Sequence, residues 1–298
     1  MPVCIGSQLK ILISFLVLGL AASALAGDGP SPLVLRSEMV WSEKARWFGG
    51  ISGVEVSSGG QHMTAITDRG HVIEAVLKRE GSLLTRIEID HEVALHNPTG
   101  KRLSKPFIDS EGLAIGPDGS VYVSFEGQHR LATVNVGTGI TTPVPNSPDF
   151  EFLNENSGLE ALAITSDGTL FTLPEQSDAD FFPLFSYGDA GWSLAARIPK
   201  KGPFLPVGAD FGPDGLFYML ERTITLLGFR SQIRRFDLSK PELGEQLLLQ
   251  TLPSRFDNLE AISVWQDAQG KTFITLIADD NFIPIQRTQV VEFEVIQQ

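Results

Sequence analysis

The sequence predicts an all-β fold: a β-propeller of five four-stranded blades, the last of them closed by the N-terminal strand. Three observations carry this. A hairpin signal returns about every fifty residues, two further short alternating runs follow most copies, and no stretch sustains the 3.6-residue apolar period of a helix.

Taken in order from the N-terminus, the first segment stands apart. Lys10 is followed by ILISFLVLGL and then by AASALAG, which is a charged start, an apolar run and an A-x-A site at Ala24, Leu25 and Ala26. About ten apolar residues are short for a membrane span. Residues 1–26 are therefore expected to be a signal peptide cut after Ala26, leaving 27–298 as a propeller domain in the periplasm or secreted. An uncleaved N-terminal anchor is the alternative. Cys4 lies inside this segment with no L-x-x-C lipobox around it, so the exported chain is expected to carry no thiol, disulfide or lipid.

Residues 32–41, PLVLRSEMVW, read as a strand with no partner near it in sequence. Five hairpins follow: GISGVEVSSGGQHMTAITDRG, SEGLAIGPDGSVYVSFEG, GLEALAITSDGTLFTLPEQ, PVGADFGPDGLFYMLERT and NLEAISVWQDAQGKTFITLIADDN. Each opens on a run that is apolar on both faces, as in Leu159 to Ile164, which suits a strand buried between neighbouring sheets. Pro-Asp-Gly or Ser-Asp-Gly turns the chain, since Pro presets φ and Gly accepts positive φ. An aromatic and branched second strand follows, with Tyr122, Phe171 and Phe217 as core residues. HVIEAVLK with LTRIEID, and QIRRFDL with EQLLLQTL, supply the third and fourth strands of two copies. After the fifth hairpin only QVVEFEV remains, so pairing it with PLVLRSEMVW completes a blade and removes an exposed edge. A sixth blade is possible if the stretch between Ile89 and Ile108 hides another unit. A β-sandwich does not account for the period.

The carboxylates follow the same repeat. The second strand ends on Asp68, Glu126, Glu175, Glu221 and Asp279, one per copy, and the first strand starts with Glu111, Glu160 and Glu260, with Ser52 and Val207 in the matching places of the other two. In an antiparallel hairpin the start of one strand lies beside the end of the next, and the innermost strands of a propeller surround one axis. The acids are thus expected to form a ring at one mouth of the central channel. Two unit charges 4 Å apart repel by about 4 kcal/mol at an effective dielectric near 20, so protons, arginines or a hard divalent cation such as Ca2+ must offset the ring. Arg69, His71, His129, Arg130 and Arg222 lie next to these acids in sequence and suit a small anionic substrate such as a phosphoester. Each Glu equally has a structural reading, in which it accepts backbone N–H bonds or an arginine from the next blade.

The net charge of −13, from 36 Asp and Glu against 23 Lys and Arg, argues against nucleic acid and anionic membranes as partners. His62, His71, His91, His96 and His129 show no zinc spacing, and no nucleophile elbow, phosphate loop or dinucleotide fingerprint is present. A monomer is expected.

FGGISGVEV with TDRG, DSEGLAI with SFEGQHR, GLEALAI with LPEQ, FGPDGLFYMLER, DNLEAIS and above all ADDNFIPIQRTQVVEFEV resemble the phytase-like family, described as having esterase-like activity of phytase. The resemblance runs from about Phe48 to Val295. It implies a propeller, hydrolysis of phosphate esters, and a site built on Asp68, Glu111, Glu126, Glu160, Glu175, Glu221, Glu260, Asp279 and Asp280, with Asn281 and Arg287 in the closing motif. Ser52 and Val207 depart from the acidic pattern. Two functions are carried forward: a divalent-cation-dependent phosphoric ester hydrolase with Glu111, Glu160 and Glu260 as candidate catalytic groups, and a non-catalytic periplasmic module that binds a metal or ligand.

Overall fold

The computed structural model describes residues 32–153 and 158–296. The expected signal peptide lies outside the described residues. Among those described, no helix is long and apolar enough to cross a membrane.

After β1 (Leu33–Val40), the chain lays down five antiparallel four-stranded sheets. Blade 1 is β2 (Ile51–Val56), β3 (His62–Thr67), β4 (His71–Glu80) and β5 (Leu83–Ala94), and blade 2 is β6 (Ser110–Ile115), β7 (Val121–Phe125), β8 (Arg130–Val134) and β9 (Thr141–Pro143). Blade 3 is β10 (Leu159–Ile164), β11 (Leu170–Pro174), β12 (Phe181–Gly188) and β13 (Gly191–Pro199). Blade 4 is β14 (Leu205–Phe211), β15 (Phe217–Thr225), β16 (Gly228–Phe236) and β17 (Gln246–Gln250). Blade 5 is β18 (Leu259–Gln266), β19 (Thr272–Ala278), β20 (Gln289–Val295) and, on its outer edge, β1. The strands β2, β6, β10, β14 and β18 each touch the next around the ring, which makes them the inner strands.

The ring closes as the sequence predicts. β1 pairs antiparallel with β20 from Leu33↔Val295 to Val40↔Gln289, so the two ends of the chain share one sheet. The stretch between Ile89 and Ile108 holds no sixth blade. β5 takes its first part, and the connection that follows docks through His96, which bridges to Arg102 and to Ile140 of blade 2.

Every inner strand carries a register shift at the same place. The ladder breaks between Ile51 and Gly53, Ser110 and Leu113, Leu159 and Ala161, Pro206 and Gly208, and Leu259 and Ala261. A bulge of this kind leaves an extra residue out of the pairing and re-aims its side chain. The residues left out of the pairing are Ser52, Glu111 with Gly112, Glu160, Val207 and Glu260, so the aligned acidic positions sit where the backbone bulges. One residue further on the chain needs little volume. A Cβ on Gly112 would lie 2.7 Å from Leu162 Cβ, and one on Gly208 would lie 2.6 Å from the Glu260 carbonyl oxygen. The inner strands meet so closely that the channel between them narrows to a void of about 10 Å3.

Gly112→Ala is therefore expected to push β6 off β10 and to destabilise the protein by roughly 1–3 kcal/mol. A fall in denaturant midpoint with an unchanged slope would show it.

Phe217 is fully buried. Phe171 and Tyr122 are part-buried and pack against the inter-blade clusters of blades 3–4 and 2–3.

Candidate functional site

Four hairpins bring a second-strand carboxylate back over the start of the first strand. The backbone N–H of Asp68 donates to the Gly50 carbonyl (2.8 Å), Glu126 to Asp109 (3.0 Å), Glu175 to Gly158 (3.1 Å) and Asp279 to Asn258 (2.9 Å). All four lie at the same end of the inner strands as the bulge acids.

The electrostatics show how close these groups are. Burial pushes Glu111 well above the ordinary carboxylate range, and Glu160, Glu260, Asp109 and Glu126 push it further. Glu160 is raised in the same way by burial and then by Glu175, Glu126 and Glu260, against Arg222. Burial and Glu260 raise Asp279 to about 8, and burial with Asp279 raises Asp68 to about 7 against the pull of Arg69. Oxygens of Asp109, Glu111 and Glu126 all lie within 4.8 Å of one another, with the three side chains half-buried. Among the described residues, no donor hydrogen-bonds to the side chains of Asp109, Glu111 or Glu160, and Asp68 Oδ1 is buried without a partner. Such a set holds protons or a cation at neutral pH.

One arginine enters the cluster. Arg222 Nη1 donates to Asn258 Oδ1 (2.6 Å) and to Glu260 Oε1, and Nη2 reaches Glu175 Oε1 at 3.4 Å. Asn258 Nδ2 also donates to Glu260 Oε1 (2.8 Å). Burial opposes the charge on Arg222, but Glu260, Glu175 and Glu160 together override it and raise its pKa. Arg222 thus serves the carboxylates.

Several residues singled out in the sequence lie elsewhere. Glu221 does not join the cluster: β15 runs on to Thr225, so Glu221 stays inside the ladder opposite Gln232, fully buried. It accepts two hydrogen bonds from Arg234, both 2.7 Å, and one from Gln232 Nε2 (2.8 Å). Arg130 lies over the Phe125 ring and donates to the Phe107 carbonyl (2.5 Å), while burial lowers its pKa to about 10. The His129 carbonyl accepts from Asn146. Arg287 is exposed, and its backbone N–H donates to Asp257. Asp280, by contrast, stays beside the cluster, where its charge helps to raise Asp68 and Asp279, and it accepts from Gly50 N, Phe282 N and Thr288 Oγ1, which ties the closing loop to blade 1. Asn281 and Phe282, both at positive φ, form the bend of that loop, and Asn281 caps Asp279 Oδ1 with its backbone N–H (2.7 Å).

Arg69 and His71 belong to a cleft of about 740 Å3 beside the cluster. Asp68 and Asp109 line its inner end, and Arg46, Arg102 and Lys105 line the rest. Arg69 lies over the Phe282 ring at 3.1 Å, and His71 stacks on Trp47. The sequence reading missed Asp109, Arg46, Arg102 and Lys105. Asp109 had a signal, being two residues before Glu111 and opposite Glu126, whereas the three basic residues come from irregular connections outside the repeat.

The opposite mouth has its own pair of acids. Asp210 Oδ2 accepts from Val264 N (2.6 Å), and Ser263 Oγ donates to Glu55 (3.3 Å). Burial, with Asp210 beside it, pushes Glu55 well up, and burial raises Asp210 to about 7. A carboxyl raised on folding contributes stability below its unfolded pKa and loses it as pH climbs through the folded value. The wild type should lose up to about 1.4 kcal/mol per pH unit from this source between about pH 4 and 7. Asp210→Asn should flatten that slope in denaturation measured from pH 5 to 8.

A family model described as phytase-like, esterase-like activity of phytase, matches residues 46–282. The chain belongs to this family. No curated protein matches it. Among solved structures, the PQQ-bound aldose sugar dehydrogenase of Streptomyces coelicolor is 13% identical, with 89% of this chain and 99% of that one covered and a TM-score of 0.47. Virginiamycin B lyase of Staphylococcus aureus is 13% identical over 89% and 100% of the two chains, at 0.41. Hydrazine synthase of Kuenenia stuttgartiensis is 14% identical over 83% of this chain but only 61% of that one, at 0.38. Likenesses at this level carry no argument about activity.

Proposed function

We propose that this phytase-like chain is an exported phosphoester hydrolase that depends on a divalent cation, Ca2+, held at the carboxylate mouth, and that it acts as a monomer on small anionic esters. The observation that carries the reading is the convergence of oxygens of Asp109, Glu111 and Glu126 within 4.8 Å of one another, with the Gly158 backbone N–H bonded to Glu126. An all-oxygen, anionic and half-buried donor set fits a hard cation, and Ca2+ takes 6–8 oxygen ligands. Asp109, Glu111 and Glu126 would hold it, with Glu160 next to them. Bound there, the cation would supply charge for a phosphoryl oxygen and acidify a water.

The chain's own groups supply the rest. Asp68, with a pKa of about 7, lies between the cluster and the cleft and can carry a proton to or from the reacting oxygens near neutral pH. Arg222 fixes Glu260 and Glu175. Arg69, which lines the cleft, would orient a phosphoryl oxygen through its free N–H groups. Export is supported by the charged, apolar and A-x-A pattern of residues 1–26.

The test is an assay of the purified exported chain on phosphomonoesters and phosphodiesters, with Ca2+ and with chelator. Turnover that chelator removes and Ca2+ restores is expected. No turnover in either condition, with Ca2+ still raising the melting temperature, would leave the non-catalytic binding module instead.

A further inference from the structure

We infer that the rim of the carboxylate mouth on blades 4 and 5 is a lipid-binding surface, which seats the mouth on the headgroups of a zwitterionic phospholipid layer. That lipid phosphodiesters are among the esters the protein takes rests on the hydrolase reading above; the binding of lipid does not.

The hairpin of β15 and β16 overshoots the mouth. In the other blades the second strand stops one residue before its acid, but β15 runs four residues past Glu221, a further reach of about 13 Å for a two-stranded ribbon. Its tip is Leu226-Leu227, a two-residue turn between the paired Thr225 and Gly228. Such turns favour Asn, Asp and Gly, yet here Leu226 is fully exposed and Leu227 is 74% exposed, with Ile224 before them at 73%. Leu252, on the connection that docks against the ribbon, and Ile285, in the closing loop of blade 5, are exposed at the same end of the molecule. Ser254 N donates to the Phe229 carbonyl (2.9 Å) and Arg287 N to Asp257 Oδ2 (2.9 Å), so ribbon, connection and closing loop are continuous. Single exposed leucines need no account, but a set gathered on one rim marks an interaction surface.

Shape, backbone and charge each fit a lipid layer. The leucines project from a convex tip, which enters a fluid layer without needing a preformed complement. The backbone of that tip is bonded internally: Leu227 N–H donates to Thr225 Oγ1 (3.2 Å), Thr225 Oγ1 to the Gly228 carbonyl (2.8 Å) and Ser254 Oγ to the Leu227 carbonyl. Backbone that enters hydrocarbon needs this, since no water is there to satisfy it. At the foot of the ribbon Arg222, two residues before Ile224 and so on the same face, reaches Glu260 and Glu175 of the mouth. With the leucines in the layer, a headgroup that ends in a cation meets those carboxylates, whereas an anionic layer meets a chain of net charge −13. Hydrolysis of a headgroup phosphodiester there breaks one P–O ester bond, with water supplying the hydroxyl that stays on phosphorus and the proton that leaves with the alcohol.

The experiment is flotation of the full exported chain with vesicles of phosphatidylcholine. Binding is expected, weakened about tenfold or more by Leu226→Ser with Leu227→Ser, unchanged by Leu194→Ser on the outer strand of blade 3, and weakened when phosphatidylglycerol is mixed into the vesicles. Leu226→Trp gives a readout that needs no loss of binding: brominated acyl chains should quench its fluorescence more strongly than that of the wild type. The double variant should keep wild-type kcat and KM on phenyl phosphate and lose about tenfold or more in rate on phosphatidylcholine in vesicles. A wild type that does not float with the vesicles, or a double variant that floats as the wild type does, overturns the surface whether or not the protein hydrolyses esters. So does a wild type that dimerises in sedimentation and binds no vesicle, with the double variant monomeric. Variant-sensitive flotation without turnover of any ester would keep the surface and remove the hydrolase reading, while turnover of phenyl phosphate alone would keep both and remove lipid phosphodiesters from the substrates.

Discussion

Arg234→Met should cost about 3–5 kcal/mol of folding stability. Arg234 is 1% exposed, and among the described residues its carboxylate partners are Glu221, gripped through two 2.7 Å hydrogen bonds, and Glu245 at 3.2 Å. Its Nη1 also donates to the Pro199 carbonyl at 2.9 Å, joining blade 4 to the last strand of blade 3. Removing the guanidinium strands a buried carboxylate, already raised above its ordinary pKa by burial against the pull of Arg234. The cost comes from that abandoned charge more than from the lost attraction, so the double variant Arg234→Met with Glu221→Leu should recover most of it. Urea denaturation of the three proteins checks this. Because Glu221 serves the blade and stays out of the mouth, the folded fraction of each variant should keep wild-type kcat.

Glu111→Gln should do the reverse: roughly a 10²-fold loss of kcat with no loss of fold. Glu111 bulges out of β6 into the company of Asp109, Glu126, Glu160 and Glu260. The amide keeps the shape but removes one anionic oxygen pair from the cation's donor set, so the rise in melting temperature with Ca2+ should shrink or vanish. Without metal the variant should be the more stable protein at pH 8. A carboxyl whose pKa is raised on folding contributes stability that is fully present in acid and lost as pH rises through its folded value. Chelated wild type should therefore weaken from pH 5 to pH 8 more than Glu111→Gln does. Stopped assays with Ca2+ and thermal melts with chelator separate the two effects.

The five-bladed ring is legible in the sequence because a propeller writes its period into turns. Pro117-Asp118-Gly119 and Pro213-Asp214-Gly215 mark the same hairpin in different blades, and Gly119 and Gly215 take the positive φ that the spacing demands. The unpaired PLVLRSEMVW and the lone QVVEFEV could only meet each other. The acids at the strand ends are legible for the same reason, wherever the strand stops on time. β3, β7, β11 and β19 end one residue before Asp68, Glu126, Glu175 and Asp279, but β15 continues four residues past Glu221, and that extension turns a mouth residue into a core one. Strand length is set by pairing with β16, which the hairpin alone does not reveal. Arg46, Arg102 and Lys105 lie on connections with no period at all, and only the closed ring brings them together.

Diffraction from a crystal soaked in Ca2+, with anomalous difference density, tests the cation site most directly. The expected result is one strong peak at the mouth, 2.3–2.6 Å from oxygens of Asp109, Glu111 and Glu126. A mouth without density at saturating Ca2+, its carboxyls hydrogen-bonded to one another through shared protons, would contradict it.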